Sequence, residues 1–346
     1  MTTTARRPRS LGLQNYSGLY LWAVFIVVFG ALKPHLFLTS ATLHSVASAQ
    51  AVSAMLALAL LVPLAAGVYD LSVGAVINFS AVTVVDLQTE HHLGIAAACL
   101  VTVLIAAGIG AVSGFIVVAL KVNSFVATLG VATIVAALQT IVSGGTQPYP
   151  PNSSAWTELT QRTVGGFQVI VLYLAVLAVV VWWVLDHTPA GRYLYVIGGN
   201  AEAARLTGVR VGLWTWLSLV AAGAISGLAG VLYSSLNGPS LTFGQSLLLP
   251  AFAAVFLGST QIRPGRFNVW GTVLAVYVLA TGVQGLQFLT GAQWLNDMFN
   301  GVALVSAVSF AVWRQRKASR PQALEADPPS APSEDDVVLH ELGAPA

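Results

Sequence analysis

Apolar residues come in long blocks separated by short polar stretches, and several blocks carry no charge at all. Residues 211–262, a run of 52 positions, contain no Asp, Glu, Lys or Arg, and 91–120 and 267–296 are equally uncharged. One helical crossing of a bilayer takes about 20 residues, so the longest run predicts two spans joined by a turn at Asn237-Gly238-Pro239. Applied to the whole chain, the pattern predicts an all-α, polytopic integral membrane protein of about ten transmembrane helices. They lie near 17–36, 43–66, 70–87, 94–119, 124–143, 167–186, 213–236, 246–261, 269–289 and 295–313.

The polar interlude at 186–212, DHTPAGRYLYVIGGNAEAARLTGVRVG, separates two of these blocks. Gly198 and Gly199 are expected to break the preceding element, Asn200 to cap a short helix, and Glu202 and Arg205 to complement the two ends of its dipole. Gly208 closes the turn in the left-handed conformation. A helix of about two turns is marginal alone and requires a docking surface. Ala201, Ala203 and Ala204 present little side chain, so another protein's groove could approach the backbone closely. The other reading of the same features is a capped linker helix lying on its own domain.

Composition agrees with the pattern. The chain is 56% apolar and 8% charged, with a mean hydropathy of +0.78, about a third of the charge usual for a soluble domain. The net charge of +2 hides a strong partition. With the N-terminus cytoplasmic, 13 of the 15 basic residues fall on the inner side and only Lys33 and Arg162 on the outer. This arrangement follows the positive-inside rule, puts both termini in the cytoplasm, and leaves no basic patch for nucleic acid. The sequence thus divides into a basic cytoplasmic tail (1–16), a transmembrane domain (17–313) with its cytoplasmic loop at 186–212, and a Pro-rich, acidic tail (314–346) expected to be disordered. Ala47-Ser48-Ala49 resembles a signal-peptide cleavage site, but it lies too far in and is followed at once by another apolar segment. The single cysteine, Cys99, rules out internal disulfides and a cysteine-based metal cluster.

Several chemistries are missing from the sequence. A phosphate-cradling loop needs Gly-Lys before Ser or Thr, and none of Lys33, Lys121 and Lys317 follows a glycine. GAVSG (110–114) and GAISG (223–227) place Ser113 and Ser226 among glycines, yet a nucleophilic serine needs a nearby base. All six histidines fall at span ends, in loops or in the tail. No HExxH occurs, so neither a metal site nor a bound cofactor is expected. The i, i+4 spacing of Gly110 with Gly114, and of Gly223 with Gly227, instead opens grooves for close helix packing. Their spans run in opposite directions, in keeping with an inverted repeat.

Intramembrane charge is nearly absent. Asp70 and Asp297 fall at span beginnings, where each can cap a helix, and Asp86 sits at a loop edge. Neutral polar residues remain. Tyr277, Thr281 and Gln284 share one face of the span at 269–289, Gln50 and Ser53 share a face of the second span, and Asn78 punctuates the third. Such groups suit a polyhydroxylated neutral solute, so these six are candidates for a translocation path. Ordinary interhelical hydrogen bonding is the competing explanation.

Four segments carry a resemblance to the integral-membrane permease subunits of bacterial ATP-binding-cassette (ABC) importers for monosaccharides, the ribose and xylose type. They are GVYDLSVGA (67–75), GFIVVALKVNSFVATLG (114–130), the TPAGR–IGGN–AARLTGV stretch (188–209) and AFAAVFLGSTQIRPGRFNVWGT (251–272). The likeness extends over about 18–313. It departs from the family pattern at Tyr69, at Asn123-Ser124, and at Gly258-Ser259 with Arg263-Pro264-Gly265. The resemblance implies a bacterial inner-membrane importer without chemistry of its own, importing a ribose-like sugar. Its implied partners are cytoplasmic ABC ATPase subunits, a periplasmic sugar-binding protein docking on 144–166 and 237–246, a second permease copy or sister permease, and the membrane lipid around the permease. It further implies that the ATPase grips Gly198, Gly199, Asn200, Ala203, Ala204, Arg205 and Gly208. The alternative from a different class is an ion-coupled secondary carrier of a neutral polar solute; a polytopic enzyme and a non-transporting scaffold are further rivals.

Overall fold

The computed structural model describes residues 17–292 and 294–319. The expected basic tail at 1–16 and most of the acidic tail at 314–346 therefore lie outside the described residues. α1 (Ser17–Leu32) leads through the one-turn α2 (Pro34–Phe37) to α3 (Ser40–Ala49), which resumes after Gln50 as α4 (Ala51–Ala65). α5 (Val73–Thr89), α6 (Ile95–Val118) and α7 (Ser124–Ser143) follow. Next come α8 (Ser154–Gln161) and an antiparallel hairpin of β1 (Thr163–Val164) and β2 (Phe167–Gln168), a small departure from the all-α expectation. The remaining elements are α9 (Val169–His187), α10 (Pro189–Gly199), α11 (Ala201–Leu206), α12 (Val211–Asn237), α13 (Phe243–Gly258), α14 (Val269–Thr290) and α15 (Trp294–Ser319).

A helix occupies each of the ten apolar segments read from the sequence. Six are long and apolar enough to cross a membrane, α3 and α4 counting as one, whereas Gly18–Leu32, Val73–Thr89 and Phe243–Gly258 are apolar but shorter. The 16 residues of α13 rise about 24 Å, less than the roughly 30 Å of a bilayer's hydrocarbon core.

α4 and α5 form the centre. Every residue from Ala51 to Ala65 is buried, as is every residue from Val73 to Val85. A helix apolar on all sides belongs inside a bundle, and α6, α7, α9, α12, α13 and α14 surround these two. The outer helices α6, α7 and α9 expose large apolar side chains such as Leu104, Ile134 and Val176, a surface suited to hydrocarbon and not to water.

Glycines set a close approach between antiparallel α6 and α12. A Cβ on Gly110 would fall on the Leu219 carbonyl oxygen, and one on Gly223 on that of Ala106. At Gly114 it would lie 2.7 Å from Trp216 Cδ1, and at Gly227 it would strike Ala106 Cβ. The two glycine pairs therefore serve one shared crossing.

Contacts between helix ends separate the two poles of the bundle. At one, Gly67 packs on Gly198, Gly212 on Val118, and Arg263 and Arg266 reach Asp186. Lys121, Arg192, Arg205 and Arg210 share this pole, which is accordingly the basic one. At the opposite pole the His44 ring meets Phe167, Thr160 bonds Ser235, and Gln161 donates to the Leu236 carbonyl. Lys33 and Arg162 lie at this second pole. Here α8 anchors itself through the fully buried Trp156, whose carbonyl accepts a 2.6 Å hydrogen bond from Ser235.

Candidate functional site

Two places have the geometry for function, and the first is the α10–α11 segment at the basic pole. Pro189 sits in the first turn of α10, where its missing N–H costs nothing. Leu194 and Ile197 bury one face of the helix. Gly198 and Gly199 do not break this helix: it continues through both. Gly198 is there for close contact, because a Cβ would fall on the Ala65 carbonyl oxygen at the end of α4. The chain breaks at Asn200, which takes an extended conformation and accepts a hydrogen bond from the Ala203 N–H at 3.0 Å. After α11 the chain turns again, with Gly208 at φ +83°. Glu202 and Arg205 pair at 3.3 Å on the open face.

The alanines of α11 divide between two surfaces. Ala204 is fully buried against the rest of the chain, so it holds α11 in place, while Ala203 remains exposed. Sequence reasoning passed over Leu206, which is 89% exposed on a helix facing away from the bundle. Its place two residues before a left-handed glycine was legible, but a lone leucine in a polar loop carries no periodicity. Glu202, Ala203, Arg205 and Leu206 together form an apolar contact flanked by a charge pair.

The second place is a cavity of about 480 Å³ toward the opposite pole, within the range of roughly 300–1,000 Å³ typical of small-molecule sites. It is lined by Gln50 and Ser53 of the broken α3–α4 span and by Tyr233 and Asn237 of α12. Phe243 and Ser246 of α13 and Asn296, Asp297 and Asn300 of α15 complete its polar wall. The Tyr233 and Phe243 rings stack at 3.9 Å and 14°. Asn300 donates to Asn296 at 2.9 Å, which fixes one amide and leaves the other edges free.

The other polar residues singled out in the sequence lie elsewhere. Tyr277, Thr281 and Gln284 face a separate, apolar cavity of about 570 Å³ beneath α1 and α3, on a different face of α14. Tyr277 donates to the Ala47 carbonyl at 3.1 Å, and Thr281 accepts from Trp22 at 2.9 Å. Asn78 is buried, bonded to the Leu241 carbonyl, the Gln245 side chain and the Gly244 N–H, and so ties α5 to the first turn of α13 and the loop before it. Asp70 is buried and accepts from the Ser72 N–H and hydroxyl at 2.9 and 2.6 Å, closing the turn into α5. The described residues hold no group of three or more His, Cys, Asp or Glu side chains that could hold a metal ion.

A family model described as branched-chain amino acid transport system / permease component matches residues 42–308. The ribose import permease protein of Escherichia coli strain K12 is 29% identical, over 86% of this chain and 93% of its own length. The L-arabinose transport system permease protein of the same strain is 30% identical, over 87% of this chain and 92% of its own length. The D-allose transport system permease protein of that strain is 24% identical, over 85% and 90%. No solved structure matches the chain.

Proposed function

The chain belongs to the family of branched-chain amino acid transport system permease components, multi-pass proteins of the bacterial inner membrane, and from that membership we propose that it is the pore-forming subunit of an ABC importer for a monosaccharide. The observation that carries the choice of solute is the cavity at Gln50, Ser53, Tyr233 and Asn300. Its polar wall is made of amides and hydroxyls, with a stacked aromatic pair for the apolar face of a sugar ring and one carboxylate, Asp297.

An amino acid, the solute in the family's description, carries two opposite charges that both need partners once removed from water. No Lys or Arg is among the cavity's described lining residues, so a neutral polyol fits better. An ion-coupled carrier usually relies on a membrane-embedded ionisable group, and Asp297, the cavity's single carboxylate, is exposed at the start of α15.

The ten apolar segments are then ten spans, and the basic pole is cytoplasmic by the positive-inside rule. There α11 presents Ala203, Arg205 and Leu206 to an ATPase, with Gly198, Gly199, Asn200, Ala204 and Gly208 holding its shape. The cavity opens toward the outer pole, where α8, the β-hairpin and the 238–242 turn receive a binding protein. A second permease copy completes the pore.

Uptake of radiolabelled ribose, L-arabinose, allose and leucine by cells expressing this chain with an ATPase and binding protein tests the assignment. At least one sugar is expected to accumulate, and leucine is not. Gln50→Leu and Asn300→Leu each remove a hydrogen-bonding edge worth about 1 to 1.5 kcal/mol, so sugar uptake is expected to fall about tenfold with surface expression unchanged. Leucine uptake without sugar uptake, or full sugar uptake in both variants, sinks the assignment.

A further inference from the structure

The basic pole contains a cluster of charged and aromatic side chains that takes part in neither site above. Asp186, in the last turn of α9, is largely buried and accepts Arg263 Nη1 at 2.8 Å and Arg266 Nη2 at 3.4 Å. The Arg266 guanidinium carbon lies 3.7 Å from the centre of the Tyr195 ring on α10. The Tyr195 hydroxyl donates to the Phe267 carbonyl at 2.6 Å. Burial raises the pKa of this phenol against the opposing pull of Arg266, so it remains a neutral donor. Both arginines stand in the turn between α13 and α14, while of their partners Asp186 lies at the end of α9 and Tyr195 within α10.

That turn is rigid. Asn268 Nδ2 lies 3.1 Å from the carbonyls of both Gly258 and Gln261, and its Oδ1 accepts the Gly271 N–H at 2.8 Å. A Cβ on Gly271 would fall on the Gly258 carbonyl oxygen, so the end of α13 and the start of α14 touch backbone to backbone. A displacement of this turn's backbone therefore carries the adjoining ends of α13 and α14 together. These two helices supply Phe243, Ser246, Leu247, Pro250, Val276 and Leu279 to the cavity wall.

We propose that Asp186, Tyr195, Arg263 and Arg266 form a transmission joint that passes movement of the α10–α11 segment to α13 and α14, so that they are positioning residues for transport. The segment has two attachments of unlike character. Its Gly198 contact with the end of α4 is backbone on backbone, so close that a Cβ would not fit. The ionic joint is half open to water at Arg263 and Arg266, and such pairs exchange partners at small cost. Arg266 Nε is buried without a hydrogen-bond partner in this conformation, leaving a donor free for another arrangement of the joint.

The proposal rests on the importer assignment, and its test separates the two. The assembled complex in proteoliposomes is assayed for sugar uptake and ATP hydrolysis in the same sample. Wild type without ATP-dependent uptake refutes the importer assignment itself. Given active wild type, Arg266→Ala and Arg263→Ala are expected to assemble and hydrolyse ATP while sugar moved per ATP falls about fivefold or more. Tyr195→Phe keeps the ring under Arg266 and loses only the hydroxyl bond, so its ratio should fall less. A structural role alone would lower assembly and both rates together and leave the ratio intact. An unchanged ratio in an Arg263→Ala complex that assembles normally overturns the proposal; the Arg263 side chain is half exposed.

Discussion

Leu206→Asp is expected to abolish capture of the ATPase while leaving the permease folded and inserted. The side chain is 89% exposed, so it contributes almost nothing to the chain's own stability, and surface changes of this kind usually stay within about 0.5 kcal/mol. Buried in a partner's groove, a leucine is worth about 2 kcal/mol, which makes even Leu206→Ala roughly 30-fold weaker in binding. Aspartate adds the cost of desolvating a charge in the same groove. Co-purification of tagged permease with ATPase reads the effect directly. Normal recovery of ATPase by Leu206→Asp would remove α11 from the coupling interface.

Gly223→Leu is expected to have the largest effect on folding. A side chain there must enter the space of the Ala106 carbonyl and of Gly110, whose Cα would lie 3.1 Å from its Cβ. Backbone atoms on both helices cannot step aside as a flexible side chain can. Overpacking typically costs about 1–3 kcal/mol where side chains yield, and here α6 and α12 must separate, so about 3 kcal/mol or more is expected. Gly108 supplies the control. It lies on the same helix α6, and a Cβ added there would meet nothing within 4 Å, so Gly108→Leu is expected to be tolerated. Monodisperse yield and thermal unfolding in detergent distinguish them, and equal behaviour of the two variants contradicts the packing account.

The bundle was legible because apolar blocks must be helices in a bilayer, where each backbone polar group needs an internal partner. The cap at Asn200 and the left-handed Gly208 were legible for the same kind of local reason: few residue types satisfy those backbone demands. Burial direction was not. Ala204 reads from sequence as open surface, whereas its methyl seals α11 onto the domain, so a bulky substitution there disturbs the permease before any partner is tested. The helix through Gly198 and Gly199 escaped notice because isolated propensity penalises glycine, while the close approach to Ala65 depends on a fold formed by distant segments. The face shared by Tyr277, Thr281 and Gln284 was seen correctly as a stripe. Periodicity names a face without naming its neighbour, and this one meets α1 and α3. The polar cavity draws from α3–α4, α12, α13, α14 and α15, so no single-helix pattern could announce it.

The central claim is that this chain moves solute only when a separate ATPase drives it. Purified chain is placed in proteoliposomes, alone under proton and sodium gradients, and together with its ATPase and binding protein with or without ATP. Net accumulation of sugar is predicted only in the complete assembly with ATP. Accumulation by the chain alone under either gradient would contradict the account.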